Sequence, residues 1–379
     1  MKKKILFISA GFKPAVSYGG PAISAENFCN LLCDECDIYV VAPNHELHKK
    51  AKLENIQESW NKFSNYFVKY VDDSSWKKSD ISTITKEIMP DVVYINSLFS
   101  YPFVFAALFA AKKHKIPVVL ATRGQLSANA MKKKWKKLPY LIAYKCLTKT
   151  MNIVYQATSD DEYAQIKDKL GNKKRIFKLP NIPARITTDK ETQKIKNELR
   201  MVYIARIHPI KNLDFALKTL ISCKGKVCFD VYGPMEDEEY WNKCKAIIQQ
   251  LPENIIVTYK GVLLHNEIES TLSNYDVFYL PTQTENYGHS IVEAILAGCV
   301  PLISNNTPWN KLMDYEAGWA LPLDDDKKFT DVICKITDES EIEFLERRKK
   351  LKRFASTIVD YEKIKKEYIE VLKNLGEAR

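Results

Sequence analysis

Twice along this chain, short apolar segments rich in β-branched residues alternate with stretches long enough to be helices. The first series is Ile5–Ser9, Ile38–Ala42, Val92–Ile95, Val118–Ala121 and Ile153–Ala157, with helix-length stretches such as Ala22–Cys33 and Phe103–His114 between them. Apolar runs this short, without a polar residue at every second position, read as strands buried on both faces. Their βαβα order predicts an open parallel sheet with helices on both sides. The second series predicts strands at Val202–Ala205, Val227–Tyr232, Ile255–Tyr259, Val277–Leu280 and Val300–Ile303. Helices are expected at Asn212–Cys223, Glu238–Gln250, Asn266–Ser273 and Ser290–Ala297. Between the series, residues 181–200 are polar and charged and read as a connection. The expectation is an α/β chain of two doubly wound domains, 1–180 and 201–360. Ligands of such sheets bind outside the carboxyl ends of the strands, so a cleft between two facing domains is the expected site.

Composition removes several classes. The 379 residues are 46% hydrophobic and 27% charged, as in ordinary globular chains. No apolar run approaches the roughly 18 residues of a spanning helix. The opening MKKKILFISAG reads as a first strand rather than a secretory signal. A cytoplasmic protein, at most peripheral to a membrane, is expected. Cys29, Cys33 and Cys36 come near metal-ligand spacing, but no second cluster completes a zinc site. All nine cysteines are expected to be small buried hydrophobes. Residues 1–183 carry 29 basic and 16 acidic side chains, hence +13; the remaining 28 and 31 give −3. The two halves therefore suit different partners.

Four strand-to-helix junctions carry chemistry. In Pro281–Pro301 (PTQTENYGHSIVEAILAGCVP), Glu285 lies in the loop and Glu293 about one turn into the helix. Gly288 precedes the helix and Ser290 is placed to cap it. Amides from Tyr287 to Ser290 make a helix N-terminus suited to phosphate. The alternative is a surface Glu285 and a Glu293 that only complements the helix dipole. In Tyr203–Leu217, Arg206 and Lys211 follow a strand and precede a helix, where two cations can neutralise a diphosphate or simply be solvated. Tyr232–Gly233–Pro234 is a third junction, and Gly19–Gly20 a fourth. The paired glycines let backbone amides approach a ligand, or make a plain turn. They lack the spaced glycines of a dinucleotide site.

In this order these features resemble glycosyltransferase family 4, the retaining enzymes of GT-B fold, in which two Rossmann-like domains face across a cleft. The resemblance spans nearly the whole chain. It is most specific in the Glu-x7-Glu pair. It implies that Glu285 contacts hydroxyls of the transferred sugar and Glu293 holds the donor ribose. Asn286, Tyr287, Gly288, His289 and Ser290 would line the sugar and phosphate pocket. Arg206 and Lys211 would grip the diphosphate, Gly19, Gly20 and Gly233 would approach the donor, and Val262 would lie by the nucleobase. Residues 361–379 would form a helix packed back on the first domain. Many relatives carry a histidine after the fourth strand of the first domain. Here Thr122–Arg123–Gly124 stands instead, similar to a branch of capsule, O-antigen and exopolysaccharide enzymes. Arg123 would bind acceptor or phosphate. It cannot serve as a base, because its guanidinium stays charged.

The activity this implies is transfer of a hexose or N-acetylhexosamine from a nucleotide-diphosphate sugar, UDP- or GDP-linked, to a glycan or lipid-diphosphate acceptor, without a metal or other cofactor. Asp324–Asp325–Asp326 is read as a helix cap rather than a metal site. Lys132, Lys133, Lys134, Trp135, Lys136 and Lys137 are read as a patch for anionic lipid, worth roughly 1 kcal/mol per basic residue, or as a solvated helix face. No nucleic-acid signature accompanies them. The alternatives are a nucleotide-sugar epimerase and a non-catalytic sugar-binding or scaffold subunit. A glycosidase would also use two carboxylates, but a loop glutamate before a Gly-bearing helix start, with cations on a neighbouring strand, suits phosphate better.

Overall fold

The computed structural model describes residues 2–47, 51–76, 78–100, 102–127, 130–131, 134–186 and 193–376. The chain forms two compact units, residues 1–182 with 361–379, and residues 183–360.

In the first unit the order is β1 (Lys3–Ile8), α1 (Gly20–Leu32), β2 (Cys36–Pro43), β3 (Asn61–Phe63), β4 (Tyr66–Val71), α2 (Lys78–Ile88), β5 (Val92–Ile95), α3 (Phe103–His114), β6 (Val118–Ala121), α4 (Lys134–Thr148), β7 (Ile153–Ala157), α5 (Asp160–Leu170) and β8 (Arg175–Lys178). The sheet order is β3-β4-β2-β1-β5-β6-β7-β8, parallel throughout except for β3. Successive residues of β1 serve opposite faces. Ile5 and Phe7 belong to one apolar core and Leu6 and Ile8 to another. That double burial is why the strands read as unbroken apolar runs.

In the second unit the order is β9 (Glu198–Ile204), α6 (Leu213–Leu220), β10 (Lys226–Tyr232), α7 (Glu238–Ile248), β11 (Ile255–Gly261), α8 (Ile268–Leu272), β12 (Val277–Leu280), α9 (His289–Leu296), β13 (Val300–Ser304), β14 (Trp319–Leu321), α10 (Asp326–Asp338) and α11 (Glu341–Ile358). Its parallel sheet runs β11-β10-β9-β12-β13-β14. The final helix, α12 (Tyr361–Gly376), belongs to the first unit. There Tyr368 accepts a hydrogen bond from Gln156 Nε2 at 2.7 Å, donates to the Pro180 carbonyl at 2.8 Å and packs edge-on to Phe28.

Strand order locates the switch points. In the first sheet β1 lies between β2 and β5; in the second β9 lies between β10 and β12. Connections leave β9 and β12 in opposite directions along the sheet, which opens a crevice at their carboxyl ends. The loops carrying Arg206, Lys211 and Glu285 start there.

The structure departs from several expectations. Residues 61–71 hold the β3–β4 hairpin, and β8 and β14 are further strands missed by the apolar pattern. The connection ends earlier than residue 200, because Glu198–Arg200 already belong to β9; residues 187–192 lie outside the described ones. The cysteines are not uniformly buried: Cys146 is exposed and Cys228 and Cys334 are half-buried. Among the described residues, no helix is long and apolar enough to cross a membrane.

Candidate active site

The second unit builds its site by stitching two loops together. The loop after β12 reaches back to the loop after β9: Gln283 N donates to the Ile210 carbonyl at 2.8 Å, and Thr282 Oγ1 donates to the same oxygen at 3.1 Å. Farther along, Glu285 N donates to the Asn306 carbonyl at 3.1 Å. These bonds set Glu285 beside Lys211, whose Nζ donates to Glu285 Oε1. Both side chains are largely buried, so the pair is weakly screened by solvent. Arg206 is placed differently. Its Nη1 donates to Glu236 Oε2 at 2.6 Å, and the side chain stays 40% exposed. A guanidinium has five N–H donors, so this contact leaves others for a ligand.

Glu293 sits in the second turn of α9 and is 1% exposed. Neither carboxylate oxygen has a hydrogen-bond partner, although His265 Nδ1 stands 3.8 Å from Oε1. Burial pushes the Glu293 carboxyl up to about 7. A buried carboxylate without donors is costly, and such a group asks for a ligand that supplies them. A vicinal diol fits, since it brings two O–H donors to one carboxylate.

Gly288 is the N-cap of α9, at φ 75°, and no side chain caps the helix. Ser290 therefore lies inside the helix and does not cap it, contrary to expectation. A Cβ on Gly288 would meet Ile291 Cδ1 at 2.8 Å, so the turn has no room for a side chain. Tyr287 packs edge-on between the rings of His289 (4.8 Å) and Trp309 (5.4 Å), and Trp309 Nε1 donates to the Tyr287 carbonyl. Asn286 continues this loop. Gly233 ends β10 at φ 145°, and a Cβ there would fall 1.8 Å from the Ala205 carbonyl oxygen. That glycine is required by the close approach of β10 to the loop carrying Arg206. Val262 follows β11 and is exposed.

In the first unit, Gly19 is the N-cap of α1 at φ 61°, with open space where a Cβ would be, and Gly20 is the helix's first residue. Arg123 adopts φ 51° in the turn after β6. Its Nε donates to Asn96 Oδ1 at 2.6 Å, Nη1 to Asn181 Oδ1, and Nη2 to Tyr94 OH at 3.4 Å. These three partners are neutral, so none of them cancels the guanidinium charge. Asn96 also donates through Nδ2 to the Pro21 carbonyl at 2.8 Å, which links Arg123 to the glycine turn. Beneath the same turn, buried Glu162 accepts from Thr122 Oγ1, Gly124 N (2.6 Å), Thr158 N and Thr158 Oγ1 (both 2.7 Å).

Sequence reasoning missed His265, Trp309, Glu236, Asn96, Asn181 and Glu162. Asn96 directly follows an apolar strand and Glu236 lies three residues past Gly233, and those positions were the available signals. The lysine patch is altered. Lys132 and Lys133, with the side chains of Lys134 and Lys136, lie outside the described residues. Lys137 turns inward, donating to the Ala130 carbonyl with its ammonium 4.5 Å from the Phe99 ring centre. Asp325 caps α10 by accepting from Lys328 N at 3.2 Å.

Residues 185–357 match the family model of glycosyl transferases group 1. The chain is 26% identical over 299 residues to an uncharacterized 41.2 kDa protein in the cps region of Klebsiella pneumoniae, covering 75% of this chain and 79% of the relative. It is 26% identical over 287 residues to an Escherichia coli UDP-Gal:alpha-D-GlcNAc-diphosphoundecaprenol alpha-1,3-galactosyltransferase, covering 70% and 72%. In structure it is similar to Anabaena HepE, solved in complex with UDP and glucose, at a TM-score of 0.75 and 15% identity over 98% of this chain and 100% of that one. The matched residues make up nearly all of the second unit, so that unit is similar to the group 1 glycosyltransferases, and the fold is GT-B.

Proposed function

We propose that this protein is a retaining glycosyltransferase that moves a hexose or N-acetylhexosamine from a UDP- or GDP-linked donor to a glycan or lipid-diphosphate acceptor in cell-surface polysaccharide synthesis. The observation that carries the reading is Glu293, buried with both oxygens lacking hydrogen-bond partners at the switch point of the second sheet. It has the chemistry to accept both hydroxyls of a donor ribose. In this reading Glu285 meets hydroxyls of the transferred sugar, beside Asn286, Tyr287, Gly288, His289 and Ser290. Arg206 and Lys211 stabilise the charge that grows on the diphosphate as the glycosidic bond breaks, the role a metal would otherwise fill. A pre-placed donor of this kind is typically worth on the order of a hundredfold in rate. Gly19, Gly20, Gly233 and Val262 approach the donor, and Arg123 takes an anionic or hydroxyl group of the acceptor. The leaving phosphate takes the acceptor proton, since Arg123 cannot. The cps-region relative and the lipid-diphosphate named for the Escherichia coli relative support the acceptor class. With an acceptor of that class, the protein in this reading works peripherally at an anionic membrane on the cytoplasmic side.

The test is a thermal-shift series with UDP, GDP, ADP, TDP and their sugar conjugates, with and without EDTA. One nucleotide is expected to raise the melting temperature by mass action, with EDTA having no effect and Glu293→Ala abolishing the shift. No shift with any nucleotide would sink the reading.

A further inference from the structure

The final helix, α12, meets the first unit through one stripe. Ile364, Tyr368, Val371, Leu372 and Leu375 are all buried, at the spacing of a single helix face. Of these side chains Tyr368 alone carries a hydroxyl into the core. A phenylalanine would fill the same space beside Phe28 with no polar group to satisfy, whereas a buried hydroxyl needs partners. The partners of Tyr368 lead to Arg123.

The Tyr368 hydroxyl accepts from Gln156 Nε2 at 2.7 Å and donates to the Pro180 carbonyl at 2.8 Å. From the first contact a path crosses the sheet. Gln156 Oε1, on β7, accepts from the Tyr94 hydroxyl on β5, and Tyr94 in turn accepts from Arg123 Nη2 at 3.4 Å. β6 lies between those strands and gives this core Val119 and Ala121, small enough for Tyr94 to reach past. From the second contact the path is shorter. The Pro180 carbonyl belongs to the peptide unit of Asn181, whose Oδ1 accepts from Arg123 Nη1. The two paths close a ring, with Tyr368 at one end and Arg123 at the other. Tyr94, Gln156, Asn181 and Tyr368 are all buried. Along the longer path each hydroxyl accepts one bond and donates the next, so the bonds strengthen one another.

A planar guanidinium has five N–H groups. Asn96, Asn181 and Tyr94 take one each from Nε, Nη1 and Nη2, which fixes the plane and leaves one N–H on each Nη. Phosphate, which accepts at several oxygens, suits a cation so held. We propose that Tyr368 is a positioning residue for Arg123: from the final helix its hydroxyl holds both the Gln156–Tyr94 arm and the Asn181 arm, and so presents the guanidinium to a phosphate group of the acceptor. The positioning is a property of the first unit alone. Its purpose rests on the acceptor role read for Arg123 above.

The full chain is prepared with isotope-labelled arginine, and the guanidinium NMR signals of Arg123 are identified as those missing from Arg123→Lys. Tyr368→Phe removes one hydroxyl and keeps the ring. It is expected to broaden the Arg123 Nη signals and to speed exchange of its Nε–H with water about tenfold, as loss of one hydrogen bond allows. Gln156→Leu, which breaks the ring on its other side, is expected to do the same. Val371→Ala loosens the same helix without touching a polar group; it should lower the melting temperature and leave the Arg123 signals as in the wild type. Unchanged Arg123 signals in Tyr368→Phe overturn the proposal, and so does equal loosening in Val371→Ala. Inorganic pyrophosphate, standing for the acceptor's diphosphate, is then titrated while Arg123 is followed. Tyr368→Phe is expected to weaken its binding about tenfold, and unchanged binding overturns the proposal. A wild-type Arg123 signal that ignores pyrophosphate, with the loosening in Tyr368→Phe still present, sinks the phosphate role of Arg123 and leaves the positioning standing.

Discussion

Lys211 closes its ammonium on the Glu285 carboxylate across 74 residues of chain, with side chains only 14% and 13% exposed. An ion pair this far out of water makes each partner depend on the other. Removing Lys211 leaves a buried carboxylate without its cation. Lys211→Met is therefore expected to cost about 3 kcal/mol in urea unfolding, and Lys211→Met/Glu285→Gln to recover much of it. Turnover should not recover in the double variant. It is expected to stay down by about a hundredfold or more, because in the proposed reaction the cation serves the leaving diphosphate.

Glu293 ties stability to pH. Its carboxyl is held up at about 7, against an ordinary 4.5, by burial. The folded protein thus keeps a proton that the unfolded chain has already released. The Glu293 contribution to stability is full below about pH 4.5, declines as pH rises to about 7, and above that is lower by about 3 kcal/mol. Glu293→Gln should remove this decline and raise the melting temperature at pH 8. The same substitution should weaken nucleotide binding, since a ribose diol needs an ionised acceptor. In the wild type, nucleotide affinity is expected to fall as pH drops below 7. Calorimetric titrations at pH 6 and pH 8 measure both effects.

Arg123 offers a separation of substrates. It stands in the first unit, while Glu285 and Glu293 stand in the second. Its fork is held by Asn96, Asn181 and Tyr94, a geometry an ammonium cannot copy. Arg123→Lys is expected to lower kcat/KM for the acceptor tenfold or more and to leave the nucleotide thermal shift unchanged. Loss of that shift would contradict an acceptor role.

Much of this architecture can be read from the chain, and what cannot has a common cause. β5, β6, β7 and β12 are short apolar runs buried on both faces, so their composition announces them. β9 starts earlier than its apolar run because Glu198 pairs with Lys226 and Arg200 with buried Asp276. Those partners lie 28 and 76 residues away, beyond any local pattern. The site divides in the same way. Glu285 and Glu293 are visible by spacing along one segment. The Lys211–Glu285 contact, the neutral clamp on Arg123 and the approach of His265 to Glu293 are made by folding.

Gly233 shows how little room one of these junctions leaves. A Cβ there would lie 1.8 Å from the Ala205 carbonyl oxygen, in a backbone region that L side chains avoid. Gly233→Ala is expected to destabilise the protein by about 2–4 kcal/mol in denaturant unfolding, and to displace Arg206, which follows Ala205 directly.

The contacts of Tyr368 have a consequence for synthesis. Phe28, Gln156 and the Pro180 carbonyl all lie in chain made before residue 183, yet the helix that packs on them leaves the ribosome only after the entire second unit. The nascent first unit must wait with part of its apolar face uncovered through 178 further residues of translation. A ribosome stalled anywhere in that span would display a sticky surface, and chaperones would meet this protein there before they met it anywhere else.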